Sequence, residues 1–149
     1  MALLNYTTTI EPEQTISEIQ KMLSRHGVTA MMTEYDGPQV SAVSFRLNID
    51  DKPMGFRLPC NWRAVLEIFK KDGIRSVKHK DKSLPNQAVR TAWRIIREWV
   101  QAQLALVEVN MVTVPQVFLP YAIMKDGRTL SEHAATDPKF FLGDGNEGL

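Results

Sequence analysis

The apolar residues over positions 86–112 recur at the spacing of an α-helix and cover most of its circumference. Placed at about 100° per residue, they form two neighbouring stripes. The first comprises Trp93, Ile96, Val100, Leu104, Val107 and Met111, and the second comprises Ala92, Ile95, Trp99, Ala102, Leu106 and Val109. Because an ordinary surface helix carries a narrower apolar stripe, the pattern predicts a helix that is central to the domain or buried on one side by a second chain.

The second stripe has two alternative coverings. Leaving a side chain such as Trp99 or Leu106 in water would forgo roughly 1.5–3 kcal/mol and would favour aggregation. Either residues 112–124 fold back over this stripe, or another subunit covers it. If a second copy does so, the protein is a homo-oligomer, and Ile95, Trp99 and Leu106 are the expected contacts.

Three runs of the chain alternate apolar and polar residues with the period of a β-strand. They cover residues 28–35, 40–49 and 54–58, and residues suited to tight turns separate them. This alternation is typical of an antiparallel meander with one buried and one open face. A fourth strand is predicted over residues 4–10, which are rich in Thr and Tyr.

Further segments carry helix signals. Pro12 and its acidic neighbours suit the first turn of a helix that ends near Gly27. A second helix is expected over residues 61–71, and Thr129 with Glu132 has the spacing of a capping box that opens a short terminal helix. The predicted fold is α+β, with a four-stranded, mostly antiparallel sheet in the order β-α-β-β-β-α-α and the helices packed on one face.

The chain of 149 residues is 44% hydrophobic, which is enough for a core of its own. We expect one domain over residues 1–135 and a flexible tail over 136–149, which is rich in Gly and Asp. The single Cys60 predicts a buried free thiol in a reducing compartment. No basic leader with a long apolar run opens the chain, and no window approaches the length of a membrane span. We therefore expect a cytoplasmic protein without a membrane segment.

The formal net charge of +1 conceals a basic block. Residues 70–97 carry nine basic and two acidic side chains, whereas both flanking segments are acidic overall. Such a block is either a solvated face or a surface for a polyanion. Under the second interpretation, the residues expected to contact nucleic-acid phosphates are Lys78, Lys80, Lys82, Arg90, Arg94 and Arg97, with Arg46 and Arg57 on the open sheet face as secondary candidates.

No local motif indicates a metal site, a cofactor or a catalytic nucleophile. The three histidines, His26, His79 and His133, lie in different predicted elements without neighbouring metal ligands. Cys60 has only these distant histidines as candidate bases, and no Gly-rich phosphate loop follows a strand. We expect neither metal nor cofactor. A small enzyme with a dispersed site of acidic and arginine side chains is a third interpretation, because such sites leave little local signature.

Several blocks of the chain resemble those of small proteins encoded by bacteriophages and prophages. The blocks are residues 5–10 (NYTTTI), 55–59 (GFRLP), 93–100 with 103–106 (WRIIREWV and QLAL), and 118–121 (FLPY). Their order over residues 5–132 is more specific than any single block. The resemblance implies a cytoplasmic protein of a mobile element, acting in DNA replication, recombination or packaging or on host proteins. It assigns no activity and no site residue.

The preferred hypothesis is a phage-type accessory protein that binds nucleic acid without catalysis and forms an oligomer. The rival hypothesis is an inhibitor or assembly factor that binds a host or phage protein. Its contact surface would be the apolar side of the long helix or the sheet edge.

Overall fold

The structure, a computed structural model, describes residues 2–137 and confirms the α+β class. The elements are α1 (Pro12–Ser24), β1 (Val28–Asp36), β2 (Gln39–Ile49), β3 (Lys52–Pro59), α2 (Trp62–Lys71), α3 (Leu84–Glu108), α4 (Val114–Phe118), a 3-10 helix (Leu119–Tyr121) and α5 (Leu130–Thr136). The tail predicted for residues 136–149 lies outside the described residues, except for its first two positions. Over residues 2–137, no helix combines the length and the apolar character needed to cross a membrane.

The three strands form an antiparallel meander in the order β1-β2-β3, as the alternating pattern predicted. Phe45 of β2 stands between Met31 of β1 and Phe56 of β3. Gly37 turns the first hairpin with φ +61°, a conformation that a residue without a Cβ adopts at low cost. The buried face of this sheet forms one core cluster with apolar side chains of α1, α3 and α4.

The strand predicted for residues 4–10 is wrong. Residues 4–7 form a turn in which Asn5 has a φ of +61°, so the sheet of the described chain has three strands rather than four. High β-propensity in a short segment is a weak signal, because the segment also needs a strand to pair with.

The N-terminal segment instead runs along α3, whose side chains satisfy its backbone. Gln87 Nε2 donates hydrogen bonds to the carbonyl oxygens of Tyr6 and Thr8 at 3.0 and 2.9 Å. Thr91 Oγ1 donates to the carbonyl oxygen of Asn5 at 3.0 Å. Buried backbone groups need partners, but side chains serve as well as a strand. Side chains of α3 therefore supply the hydrogen bonds that a neighbouring strand was expected to form.

The long helix α3 begins and ends earlier than residues 86–112. The Ser83 side chain caps its first turn by accepting the N–H of Asn86 at 3.3 Å, which supplies a partner for one of the free amides of a helix start. Asn110 ends the regular backbone with a φ of +63°. Asparagine tolerates this left-handed conformation better than most residues, and the apolar pattern beyond it belongs to the following turn.

The first apolar stripe of α3 closes the core. Trp93 is completely buried, and its Nε1 donates a hydrogen bond to the carbonyl oxygen of Val40 in β2 at 3.2 Å. Val100 and Leu104, about two and three turns further along the stripe, are also buried. A buried indole whose N–H has a partner combines a large apolar area with no unpaired polar atom, so Trp93 joins α3 firmly to the sheet.

The segment after α3 folds back over part of the second stripe. Phe118 of α4 is completely buried, with its ring centroid 5.5 Å from that of Trp99 and 5.4 Å from that of Phe45. Tyr121 contacts Trp99 edge-on at 5.6 Å. Of the two coverings considered for this stripe, the C-terminal segment therefore covers Trp99, whereas Leu106 stays 38% exposed.

The chain then covers part of one edge of the sheet. Ala122 forms an isolated bridge with Phe56 of β3, and the N–H of Ile123 donates to the carbonyl oxygen of Gly55 at 2.8 Å. Ile123 Cδ1 lies 3.4 Å from the position that a Cβ on Gly55 would take. A glycine at this point of β3 thus lets Ile123 pack closely on the face opposite the core.

Candidate nucleic-acid interface

The arginine strip of α3 faces other parts of the protein rather than solvent. Arg90 is only 2% exposed, and its Nε and Nη2 donate to Gln87 Oε1 at 3.1 and 2.7 Å. Its Nη1 lies 3.9 Å from Oδ2 of Asp81. Burying a charge is costly unless it is paired and hydrogen-bonded. Arg90 therefore serves the packing around α3 and does not present a guanidinium to a phosphate.

Arg94 and Arg97 share one carboxylate of α1. Arg94 Nη1 donates to Glu18 Oε2 at 2.6 Å, and Arg97 Nε donates to Glu18 Oε1 at 3.2 Å. Thr15 and Gln101 accept further hydrogen bonds from the two guanidiniums. We name the whole polar set the arginine seam, and it consists of Arg90, Arg94, Arg97, Glu18, Gln87 and Asp81. Three of the predicted phosphate contacts are thus engaged inside the protein.

The lysine-rich run, by contrast, remains on the surface. All six of its cations are exposed: Lys70, Lys71, Arg75, Lys78, Lys80 and Lys82. We name residues 70–82 the basic loop. Lys70 lies 3.6 Å from Glu67, and Lys82 Nζ donates to the carbonyl oxygen of Val77 at 2.9 Å. The other four cations form no ion pair and no side-chain hydrogen bond with any residue of 2–137, so they are available to an external anion.

The backbone of the basic loop is anchored although its composition is polar. Val77 is buried. His79 Nε2 lies 2.5 Å from Glu11 Oε1, and His79 Nδ1 accepts a hydrogen bond from the N–H of Asp81 at 2.9 Å. Because Asp81 also belongs to the arginine seam, the loop is joined to α3. An anchored loop holds its cations in place and lowers the entropy lost on binding.

Asp81 is the main link between the basic loop and the start of α3. Its carboxylate accepts hydrogen bonds from Asn86 Nδ2 at 2.6 Å and from the N–H of Ser83 at 2.8 Å. These bonds lower the pKa of Asp81, and the positive charge of Arg90 lowers it further. The folded state therefore favours the ionised carboxylate.

We expect the Asp81→Asn variant to be less stable than the wild type at neutral pH, with a difference that disappears in acid. A lowered folded-state pKa contributes stability that is complete above the unfolded pKa of about 3.9 and is lost as the pH falls through the folded-state pKa. Urea midpoints of the variant and the wild type, measured from neutral pH down into acid, test the expectation. Asp72→Asn is the control, because the Asp72 side chain accepts no hydrogen bond in the described chain. A difference that is constant from neutral to acid pH would contradict it.

The two arginines predicted on the open sheet face have different surroundings. Arg57 Nε lies 3.1 Å from Glu34 Oε1, and its Nη1 donates to the carbonyl oxygen of Gly127 at 2.9 Å. It therefore helps to hold the turn at Gly127 against the sheet. Arg46 is exposed and has no ion pair among residues 2–137. Of this pair, only Arg46 presents an unpaired cation.

The residues predicted for a subunit interface also divide. Ile95 and Trp99 line an apolar depression of about 280 Å³ between α3, the end of β3 and the 3-10 helix. Leu106 lies further along α3, where it shares an exposed apolar end of the helix with Val109 and Met111. The structure does not bring the three predicted residues together on one open surface, since the C-terminal segment covers Trp99.

The tryptophans are poorly placed to stack on bases. Trp93 is buried, Trp99 is packed between two aromatic rings, and Trp62 is half-buried with the guanidinium of Arg63 4.6 Å from its ring centroid. Tyr6 is exposed beside the basic loop, in a shallow depression lined by Ala2, Tyr6, Asp72 and Ile74. The sequence assigned Tyr6 to a strand, so its position next to the loop could not be foreseen.

A groove of about 380 Å³ between α1 and α3 is the arrangement most relevant to a dispersed enzyme site. It holds an acid–base pair, His26 Nε2 and Glu108 Oε1 at 3.5 Å, but Glu18 on its wall is already paired within the arginine seam. No Ser, Thr or Cys of the described chain lines it. Cys60 is buried elsewhere, and burial raises its pKa to about 12, so the thiol stays protonated at neutral pH and is a poor nucleophile.

Neither metal ligation nor similarity to known proteins adds a functional assignment. Within residues 2–137, no group of three or more His, Cys, Asp or Glu side chains is placed to hold a metal ion. Comparisons with known protein families, with curated protein sequences and with solved structures gave no match. The chain is thus an α+β protein with a basic loop on one side and an open sheet face, and its own geometry is the basis for a functional proposal.

Proposed function

We propose that this protein binds nucleic acid without catalysis, through the basic loop. The observation that carries the proposal is the set of four unpaired cations on an anchored surface segment, Lys71, Arg75, Lys78 and Lys80. Phosphate contacts of this kind supply most of the affinity of sequence-independent binding. We keep the phage-type context expected from the sequence, in which DNA replication, recombination and packaging all require such binding.

The basic loop is a better candidate for phosphate contacts than the arginine seam. Bringing Arg94 or Arg97 to a phosphate would break their bonds to Glu18 and leave that carboxylate unpaired beside the new anion. The four unpaired cations of the basic loop carry no such penalty. The sequence hypothesis combined the loop with the helix, and the proposed site is therefore reduced to residues 70–82.

Four contacts give a measurable salt dependence. On duplex DNA the logarithm of the affinity should fall with the logarithm of salt concentration with a slope of about −3.6, which is roughly a 100-fold loss between 50 and 200 mM salt. Single-stranded nucleic acid should give a slope of about −2.8. Fluorescence anisotropy with labelled single- and double-stranded DNA and RNA would measure both slopes.

Charge reversal in the loop tests the site. We expect the Lys78→Glu, Lys80→Glu double variant to bind at least about tenfold more weakly and to lose about two units of salt slope. The Lys52→Glu, Lys125→Glu double variant is the matched control, because it changes the net charge equally at exposed lysines outside the loop. Equal affinities of the two variants would contradict the assignment to the loop, and no binding at low salt would contradict the function.

A second candidate function is binding of a protein partner, which the exposed apolar end of α3 favours. Leu106, Val109 and Met111 are 38%, 61% and 71% exposed there. Large apolar side chains grouped on a surface mark interaction sites more often than solitary ones do. If nucleic acids do not bind at low salt, this end of α3 becomes the first surface to examine for an inhibitor or assembly factor.

A further inference from the structure

The two edges of the sheet differ. The outer edge of β3 pairs in part with Ala122 and Ile123. The outer edge of β1 forms no backbone hydrogen bond with any residue of 2–137. An uncovered edge strand presents a row of N–H and C=O groups that can pair with another strand.

β1 has only part of the usual protection of an edge strand, namely two irregularities of its ladder and the charges of Glu34 and Asp36. It contains no Lys, Arg or Pro, the residues that commonly prevent edge pairing. Irregularities of the ladder lie between Val28 and Ala30 and between Glu34 and Tyr35, so the regular stretch runs from Ala30 to Glu34. Met32 is the centre of that stretch, and it is 57% exposed on the open face of the sheet.

We propose that a second copy of this chain pairs with β1 in antiparallel orientation about a two-fold axis at Met32. The two three-stranded sheets then form one six-stranded sheet. This register keeps both irregularities outside the paired stretch and places the two exposed Met32 side chains against each other. The dimer does not depend on nucleic-acid binding.

Charge complementarity favours the same register. A two-fold axis at Met32 places Ala30 opposite Glu34 of the second copy, and Ala30 pairs with Arg46 on its other side. Arg46 and the second copy's Glu34 then lie in one row of the open face, two strand spacings or about 9.6 Å apart. Only the small Ala30 side chain separates them. Glu34 points toward Ser44 and Arg57 of its own copy, so its carboxylate turns outward across Ala30 to meet Arg46 when the dimer forms.

Both Arg46 and Glu34 can form an additional ion pair. Arg46 has no ion pair in the described chain. Glu34 uses Oε1 for its bonds from Ser44 and Arg57, and its Oε2 has no partner among residues 2–137. A two-fold dimer would form the Arg46–Glu34 pair twice, since an isologous interface repeats every contact.

Cysteine cross-linking tests the register. Residues directly opposite in an antiparallel pair have Cα atoms about 4.5 or 5.5 Å apart, within the range of a disulfide. We expect the Met32→Cys variant to form a disulfide-linked dimer under mild oxidation. Ala30→Cys is the matched control on the same strand and face, because its two sulfurs would be about 13 Å apart along the strands. The native Cys60 is buried and does not compete.

The outcomes are separable on a non-reducing gel. Dimers in Met32→Cys that exceed those of Ala30→Cys and the wild type support the proposal. Equal cross-linking of the two variants, or none in Met32→Cys, overturns it.

Sedimentation of uncrosslinked protein provides an independent test. We expect the wild type to dimerise and Met32→Lys to dimerise at least about tenfold more weakly, because it places two ammonium groups at the axis. Met111→Lys is the control, since it makes the same change at an exposed methionine beyond α3. Arg46→Glu should also weaken the dimer, through like charges in the row that contains Glu34. A monomeric wild type, or a dimer that Met32→Lys does not weaken more than Met111→Lys does, overturns the proposal.

Discussion

Replacing Trp93 with alanine is expected to lower the free energy of unfolding by about 3–5 kcal/mol, the largest stability effect predicted for a single residue here. Trp93 is completely buried between α3 and the sheet, and its N–H bonds to the carbonyl oxygen of Val40. Alanine would leave both a cavity and an unpaired carbonyl. Because domains of this size are stable by only about 5–15 kcal/mol, the variant would be close to unfolding. Urea denaturation monitored by circular dichroism measures the change.

Two companion variants separate the causes. Trp93→Phe keeps most of the ring but removes the donor, so we expect a loss of about 1–3 kcal/mol. Leu106→Ala, on the exposed part of the second stripe, should change stability by less than about 0.5 kcal/mol. If Leu106→Ala were as destabilising as Trp93→Ala, the assignment of the first stripe to the core and of this part of the second to the surface would fail.

Replacing Glu18 with alanine is expected to lower the free energy of unfolding by about 1–3 kcal/mol. The change removes the carboxylate that Arg94 and Arg97 share. Both guanidiniums would then lack their ion-pair partner in a poorly hydrated place, because the two side chains are only 13% and 22% exposed. Breaking a fully buried ion pair in this way would lower the free energy of unfolding by more. Glu18 is 32% exposed, however, so water can partly replace its carboxylate.

Glu13→Ala on the same helix is the control, because Glu13 is exposed and has no partner in the described chain. It should lose less than about 1 kcal/mol, mainly through the helix dipole. Adding Arg94→Met to Glu18→Ala should restore part of the stability, since it removes one of the unpaired charges. Equal effects of Glu18→Ala and Glu13→Ala would show that the arginine seam contributes no more than a surface ion pair.

Periodicity predicted the elements that depend on local pattern. The alternation of β2 and the capping residues Asn61 and Thr129 are visible in the sequence, and the corresponding strand and helix starts appear in the structure. These features depend on residues within a few positions of one another, which a sequence reads directly.

The errors concern partners that are distant in the sequence. Residues 4–10 have strand-like composition, but whether they join the sheet or α3 depends on Gln87, about eighty positions later. The helical pattern likewise placed Arg94 and Arg97 on one polar strip and left open whether the strip faces solvent. It could not reveal that Glu18, 76 positions before Arg94, would face them.

For the same reason, the sequence predicted only some of the exposed cations correctly. Lys78 and Lys80 are exposed, as their polar surroundings predicted, because no neighbouring segment has a carboxylate that reaches them in the described chain. Arg90 was misplaced as a surface cation because burial of an arginine depends on the neighbouring Gln87 and on the loop around Asp81. Net charge by segment therefore indicated a region that carries exposed cations but overstated how many of its cations are available.

The attachment of the N-terminal segment to α3 also has a consequence for synthesis of the chain. Asn5 Nδ2 donates to Glu98 Oε1, a partner 93 positions later. At translation rates of about 5–20 residues per second, Asn5 waits about 5–20 s for that partner to be made. The segment around Asn5 thus reaches its final contacts late, and until then chaperones and proteases have access to it.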